Sequence, residues 1–264
     1  MHIIVCIKQV PDTKHIRLDE KNHTLIREGV ESIINPFDMY ALEEALRIRD
    51  QRGGKVTVLS MGPPQTESSL REAISYGADE AVLLSDRAFA GADTWATSYT
   101  LAKGVEKIAP FDLILCGKQA VDGDTAQVGP GLAERLAIPY ITWVRKIEAI
   151  GDGMIRAQRL MDDGYDRLES PLPALLTVVK EINEPRVPSL KGKMRAKTQK
   201  IPFYGLVDIA ADPEQVGLKG SATQVIKVFP PPRLKERVWI QGTAQEQVSQ
   251  ILDNLKILKL LPGG

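Results

Sequence analysis

Short apolar runs alternate with amphipathic stretches through the first half of the chain. His2–Val10 is rich in β-branched residues and ends at Pro11. Over Asp38–Gln51, Tyr40, Ala41, Ala45, Leu46 and Ile48 recur at helical spacing against Glu43, Glu44, Arg47 and Arg49, and Gly53-Gly54 closes the run. That is an amphipathic helix with a glycine stop. Lys55–Met61 reads as a second strand, cut off by Gly62-Pro63-Pro64, and Thr66–Tyr76 as a helix capped by Thr66 and ended by Gly77. Glu80–Ser85 reads as a third strand. A third helix starts at Asp93 or Thr94 and runs to Ile108, Phe111–Gly117 is a fourth strand, and Thr125–Leu136 is a fourth helix, stopping before Pro139.

Strands and helices alternating at this spacing predict βαβ units, hence an α/β fold: a parallel sheet with helices on both faces, a Rossmann-like nucleotide-binding domain. The apolar runs are nearly continuous, as expected for strands covered on both sides. Ligands of such sheets bind beyond the carboxyl ends of the strands. Every suspicious loop in this half directly follows a predicted strand except the one at Asn35, so the others converge on one edge.

The pattern then changes. Tyr140–Ala149 and Met154–Leu160 flank Gly151-Asp152-Gly153, a hairpin signal, and Ala174–Val179 is one more β-rich run. Residues 185–207 hold six basic side chains, Arg186, Lys191, Lys193, Arg195, Lys197 and Lys200, and no acid. Pro230-Pro231-Pro232 breaks up the next stretch, and a weak helix is expected over Thr243–Ile257. A tail with so little core material, yet keeping Phe203, Tyr204, Val225, Ile226, Val228, Phe229 and Trp239, reads as an extended arm ordered against another chain.

Composition narrows the function. Lys+Arg and Asp+Glu are both 34, so the formal net charge is zero, which argues against nucleic acid as the main partner. Cys6 and Cys116 each sit in an apolar run and read as buried free thiols. No basic leader, cleavage site or long apolar span is visible, so a cytoplasmic protein is expected. His2, His15 and His23 lack metal-ligand spacing, and no familiar catalytic motif appears.

The sharpest segment is GKQAVDGDTAQVGPGLAERL, Gly117 to Leu136. It leaves a buried strand and enters a helix. Gly117, Gly123, Gly129 and Gly131 permit close backbone approach, and a helix opening at Thr125 would favour a phosphate. Asp122 and Asp124 add negative charge there; they cap the helix, bind hydroxyls or hold the loop. A plain βα turn explains the segment equally well, and it is neither a Walker A loop nor a GxGxxG fingerprint. NPFD, Asn35–Asp38, is read first as a helix start capped by Asn35. SMGPP, Ser60–Pro64, reads as a turn, and SDRAFAGADTWATS, Ser85–Ser98, as a loop of small residues with Arg87, leading to a capped helix. A nucleotide site without a catalytic side chain suits chemistry carried by a cofactor.

VCIKQVPDT at Val5–Thr13, NPFDMYALEEAL at Asn35–Leu46, SMGPP, GKQAVDGDTAQVGP and NEPRVPSLKGKMRAK at Asn183–Lys197 occur together and in order. In these the chain resembles the β subunit of electron transfer flavoproteins over nearly its whole length. The resemblance implies a heterodimer with an FAD-bearing α subunit. Cys6, Asn35, Pro36, Phe37, Asp38 and Met61 would line the adenosine end of a bound nucleotide. Gln119 and the run Asp122, Gly123, Asp124, Thr125, Ala126, Gln127, Val128 and Gly129, with Ala133, would hold its phosphates and neighbouring groups. Residues 1–183 would form the nucleotide-binding domain. Residues 184–264 would form a partner-docking loop and an arm wrapping the α subunit. Leu190 matches the family's docking leucine, which enters an apolar pocket on an acyl-CoA dehydrogenase-type flavoenzyme.

The family has two forms. In simple carriers the β nucleotide is a structural AMP. In the electron-bifurcating form it is FAD, reduced by NADH, with one electron sent to a low-potential acceptor such as ferredoxin or flavodoxin. SDRAFAGADTWATS resembles the bifurcating form, which makes Arg87, Phe89, Gly91, Asp93, Thr94 and Thr97 candidates for the flavin end. The rival readings are the AMP carrier, a nucleotide-sensing regulatory domain, and a nucleotide-hydrolysing or ligase-like enzyme for which only Lys118 is at hand.

Overall fold

The computed structural model describes residues 1–12, 17–18, 25–26, 32–226 and 239–260. His15, His23, Val228, Phe229 and Pro230–Pro232 lie outside these. In chain order the elements are β1 (His2–Cys6), β2 (Gln9–Pro11), β3 (Arg17–Leu18), β4 (Leu25–Ile26), β5 (Ser32–Ile34), α1 (Pro36–Arg52), β6 (Lys55–Met61), α2 (Glu67–Tyr76), β7 (Glu80–Leu84), α3 (Thr94–Ile108), β8 (Leu113–Gly117) and α4 (Val128–Arg135). Then come β9 (Tyr140–Gly151), β10 (Met154–Met161), β11 (Gly164–Pro171), β12 (Ala174–Val178), α5 (Leu190–Thr198), β13 (Phe203–Tyr204), α6 (Gly217–Gly220) and α7 (Ala244–Ile257).

Nine strands form one sheet in the order β11-β10-β9-β12-β8-β1-β6-β7-β13. Pairing is parallel from β9 through to β13, and β9, β10 and β11 add an antiparallel meander at one end. The fold is α/β and Rossmann-like, as expected. Alternate residues of each strand face opposite cores. Ile3, Val5, Val56, Val58, Leu113 and Leu115 pack with Ala41, Leu42, Leu46, Leu70 and Ile74 of α1 and α2. Ile4, Cys6, Leu59, Leu84, Ile114 and Leu175 pack with Tyr99, Leu101, Val105 and Leu132 of α3 and α4. Both faces are therefore covered, which accounts for the unbroken apolar runs. After β1 the chain builds outward through β6 and β7, then returns to lay β8 on the other side of β1. The β1/β8 gap is thus the point where strand order reverses, the place where such sheets bind ligands.

The hairpin at Gly151–Gly153 joins β9 and β10 as expected, but β11 carries no apolar run and arises from pairing alone. The fourth helix begins at Val128 rather than Thr125, because Asp124 and Ala126 have φ of 52° and 56° and cannot continue a right-handed helix.

The chain divides into two compact units, Met1–Gln224 and Val225–Gly264. Residues 184–224, assigned above to the docking loop and arm, lie within the first unit. Arg186 pairs with Glu43 at 2.8 Å and Asp50 at 2.9 Å on α1, α5 packs on α2, and β13 extends the sheet beside β7. In the second unit α7 opens with a reciprocal capping box between Thr243 and Glu246, the expected weak helix. No helix among the described residues is long and apolar enough to cross a membrane.

Candidate functional site at the carboxyl edge of the sheet

The carboxyl ends of β1 and β8 are tied together by one buried acid. Asp38, in the first turn of α1, accepts the Lys8 N–H at 2.7 Å through one oxygen and the Gly117 N–H at 3.1 Å through the other. Burial dominates its titration and pushes its pKa up to about 7, against the pull of those hydrogen bonds and of Asn35. A Cβ on Gly117 would lie 2.4 Å from Asp38 Oδ1 and 2.6 Å from the Phe37 backbone, so only glycine admits this approach.

Asn35 is fully buried but caps nothing. Its Nδ2 donates to Gln119 O at 2.8 Å, and its Oδ1 accepts the Val121 N–H at 3.1 Å. The cap expected from sequence is corrected: the amide side chain is claimed by a loop 84 and 86 positions away. Asn35 follows the short β5, which pairs with β2 outside the nine-stranded sheet; it is the bonds to Gln119 and Val121 that bring this loop to the same edge.

The loop from Lys118 to Gln127 is fastened at several points. Lys8 Nζ binds both oxygens of Asp122 at 2.7 and 2.8 Å, and Gln119 Nε2 donates to Asp124. Both acids whose charge opposes phosphate binding are thereby engaged with positive or donor groups. Beyond the left-handed Asp124 and Ala126, α4 begins with no side-chain cap at Gln127, and Pro130 brings no N–H to the first turn. An uncapped helix start at a strand end, among glycines, is a cradle for an anionic oxygen. Gly129 lets that start sit tight against the sheet, since a Cβ there would be 2.5 Å from Thr177 Cγ2.

The stretch after β7 lies beside this loop: the Thr94 hydroxyl donates to Gln127 Oε1 at 3.0 Å. Asp93 caps α3, accepting from Trp95 and Ala96 N–H through one oxygen and from the Thr223 N–H and hydroxyl through the other. Its burial is outweighed by these donors, which hold the carboxyl below its ordinary range. Gly91, at φ 76°, backs onto Leu218. Phe89 is buried in the core, whereas Arg87 is exposed with no ion pair among the described residues. Thr97 is half-buried one turn into α3.

Cys6 and Cys116 are register neighbours on β1 and β8, both free and buried. The adjacent Cys6 thiol and burial push the Cys116 thiol well up, so Cys116 stays a protonated packing group. Met61, Val128 and Ala133 pack on or within the same core. Pro36 and Phe37 form the opening turn of α1, and Gly123 and Thr125 are exposed in the loop. Leu190 stands apart from all of these, 77% exposed at the start of α5. Sequence reasoning missed Lys8, Ser60, whose hydroxyl donates to Ile7 O at 2.9 Å, and Thr177; each acts through a contact distant in sequence and leaves no local signal. A depression lined by Met1, Arg52, Asp112 and Leu172 lies at the opposite, amino edge.

The sequence also matches known proteins. The sequence model described as the electron transfer flavoprotein domain matches residues 22–204. The chain is 52% identical to an electron transfer flavoprotein subunit beta of Thermoanaerobacterium thermosaccharolyticum, over 97% of this chain and 98% of that one. It is 52% identical to the caffeyl-CoA reductase-Etf complex subunit CarD of Acetobacterium woodii, over 94% and 95%. It is 46% identical to protein FixA of Bradyrhizobium diazoefficiens, over 96% and 90%.

Proposed function

Since the chain belongs to the electron transfer flavoprotein family, as a β subunit, we propose that it holds FAD in the carboxyl-edge crevice and serves NADH-dependent electron bifurcation in a heterodimer with its α subunit. The observation that supports FAD over AMP is the Thr94–Gln127 hydrogen bond. It sets the flavin-end stretch beside the phosphate loop, so a nucleotide with its phosphates at α4 would have the Gly91–Thr97 region within reach. AMP ends at its phosphate and makes no use of that region.

The residues divide the work. Asn35, Asp38 and Gly117 fix the strand ends where the adenosine binds, with Cys6, Phe37 and Met61 as its apolar surroundings. The free N–H groups at the start of α4 and the loop from Gln119 to Gln127 receive the phosphates, while Lys8 neutralises Asp122. At the flavin end Arg87, Thr94, Thr97 and the Gly91 backbone are the groups with capacity to spare. Phe89 and Asp93 support the loop from behind. Bound FAD supplies the hydride and single-electron chemistry. The chain's own part is to bind it, orient it and keep water from it.

Electrons pass through the α-subunit FAD to or from an acyl-CoA dehydrogenase-type flavoenzyme, with ferredoxin or flavodoxin as the low-potential acceptor. Residues 184–264 serve the partners. Leu190, with Met194 beside it at 64% exposure and Lys191 and Lys193 around it, enters the dehydrogenase, and the C-terminal unit wraps the α subunit.

The test is a cofactor count. The chain is co-expressed with its α subunit, the cofactors are released by denaturation, and FAD and AMP are counted per heterodimer. Two FAD and no AMP is the expected result. One of each identifies a simple carrier and removes the flavin assignment from Arg87–Thr97.

A further inference from the structure

The loop between β7 and α3 is held at both ends by a carboxylate that serves two elements at once. Asp86 accepts the Ala88 N–H at 2.9 Å through one oxygen and the Leu206 N–H at 3.0 Å through the other. The Leu206 and Ala88 N–H groups hold its carboxyl below the ordinary range. Asp93 repeats the arrangement at the far end. One oxygen takes the Trp95 and Ala96 N–H groups, and the other takes the Thr223 N–H and hydroxyl at 2.9 and 3.0 Å. The bond is returned, since the Ser221 hydroxyl accepts the Asp93 N–H at 2.8 Å. Leu206, Ser221 and Thr223 lie 120, 128 and 130 positions further along the chain than the acids they meet.

Between these anchors the same distant segment covers the back of the loop. The Leu218 N–H donates to Ala90 O at 3.0 Å. Phe89 packs in the core with Ile209 and Val216, and the Tyr99 hydroxyl accepts the Asp212 N–H at 3.0 Å. Gly217, at a φ of 56°, lies so close that a Cβ would run into Ala88 O. The loop itself forms one 3₁₀ turn over Arg87–Phe89, too short to hold a shape unaided, and Arg87, Ala88, Ala90 and Gly91 are exposed. Thr94, next in the chain to Asp93, bonds Gln127 of the phosphate loop.

We propose that residues 205–223 form a clip that selects the nucleotide: Asp93, held by Ser221 and Thr223, is a positioning residue that sets the 87–94 loop for a flavin beyond the phosphates. The proposal deepens the reading of the crevice as an FAD site and rests on it. A nucleotide that ends at its phosphate meets α4 and the Gln119–Gln127 loop and gains nothing from the clip. One that extends further needs Arg87, Gly91, Thr94 and Thr97 in place beforehand, and ordering an unclipped loop costs affinity. The clip therefore favours FAD and leaves AMP indifferent.

The test compares heterodimers carrying wild-type chain, Ser221→Ala/Thr223→Val and Thr223→Ser. The double variant takes both hydroxyls from Asp93 while its carboxylate still caps α3; Thr223→Ser keeps the hydroxyl. Each heterodimer is purified with AMP in excess, and FAD and AMP are counted after denaturation. FAD release on dilution is followed by filtration, and hydrogen exchange of the 87–92 amides is measured on the same samples. The double variant is expected to release the FAD of this chain about tenfold faster, to carry AMP in the sites that lose it, and to exchange the 87–92 amides faster. Thr223→Ser stays close to wild type. FAD release at the wild-type rate overturns the selection, and so do sites left empty of both nucleotides, which mark a general loosening. Wild-type exchange at 87–92 in the double variant overturns the clip itself. A wild-type heterodimer with one FAD and one AMP refutes the FAD reading and the selection built on it, while the exchange measurement still judges the clip.

Discussion

Replacing Asp38 with asparagine isolates the energetics of the crevice floor. Asp38 is 6% exposed, and the pKa of its carboxyl rises from 3.8 to about 7 on folding because burial disfavours its charge. A group with a raised folded pKa contributes its full stability below the unfolded value. That contribution is lost as pH rises through the folded value and is constant above it. The whole loss is about 4 kcal/mol, and the part falling between pH 5 and pH 8 is about 3 kcal/mol. Asparagine carries no such dependence. It keeps one acceptor for the Lys8 and Gly117 N–H groups and leaves the other facing an amide, a fixed cost of about 1–3 kcal/mol at every pH. Relative to wild type, Asp38→Asn is therefore expected to gain about 3 kcal/mol between pH 5 and pH 8, or ~5–10 °C in Tm. Urea and thermal unfolding of the full chain, followed by circular dichroism at both pH values, reads this directly, because the other titrations are common to both proteins. A stability difference that is the same at pH 5 and pH 8 would refute the buried titration.

Three further outcomes are expected. Gly129→Ala drives its Cβ against the Thr177 methyl and should lower stability by about 1–3 kcal/mol; adding Thr177→Ser removes that methyl and should recover at least half, which a thermal melt of both variants decides. Asn35→Ala frees the Gln119–Val121 loop and removes its two part-buried hydrogen bonds, at about 1 kcal/mol each; nucleotide retained through gel filtration should fall, and full retention would show that the loop does not need its clamp. Leu190→Ala should slow electron transfer to the dehydrogenase about tenfold or more with flavin content unchanged, and stopped-flow rates equal to wild type would discard the docking role.

The parallel core was legible because its strands are covered on both faces: runs such as Leu113–Gly117 are apolar at every step and bounded by turns. β11 was not, since GYDRLESP lies at the sheet's outer end and is mostly polar and solvent-facing, leaving pairing with β10 as the only thing that makes it a strand. The start of α4 was misread because Thr125 looks like a cap, while the two left-handed residues beside it are an aspartate and an alanine rather than glycines. Asn35 and Asp38 were legible as a helix opening; their bonds to Gln119, Val121, Lys8 and Gly117 depend on strand order, which local spacing does not encode. The left-handed Trp143, where β9 bulges against β12, left no trace at all, because nothing in ITWVRK marks a bulge.

The mounting of α5 separates two sets of positions on one short helix. Gly192 lies so close to Ser75 O that a Cβ would be 2.1 Å away, Arg195 donates to the carbonyls of Ile74 and Ala78, and Arg71 donates to those of Ala196 and Gln199. The helix is thus gripped through main-chain oxygens, while Leu190, Lys191, Lys193, Met194 and Lys197 point away from the grip and are exposed. Exchanging outward residues leaves every one of those anchoring bonds in place. On the proposed docking role, a change of partner can therefore be written in four or five side chains, with neither the helix nor the crevice behind it having to be rebuilt.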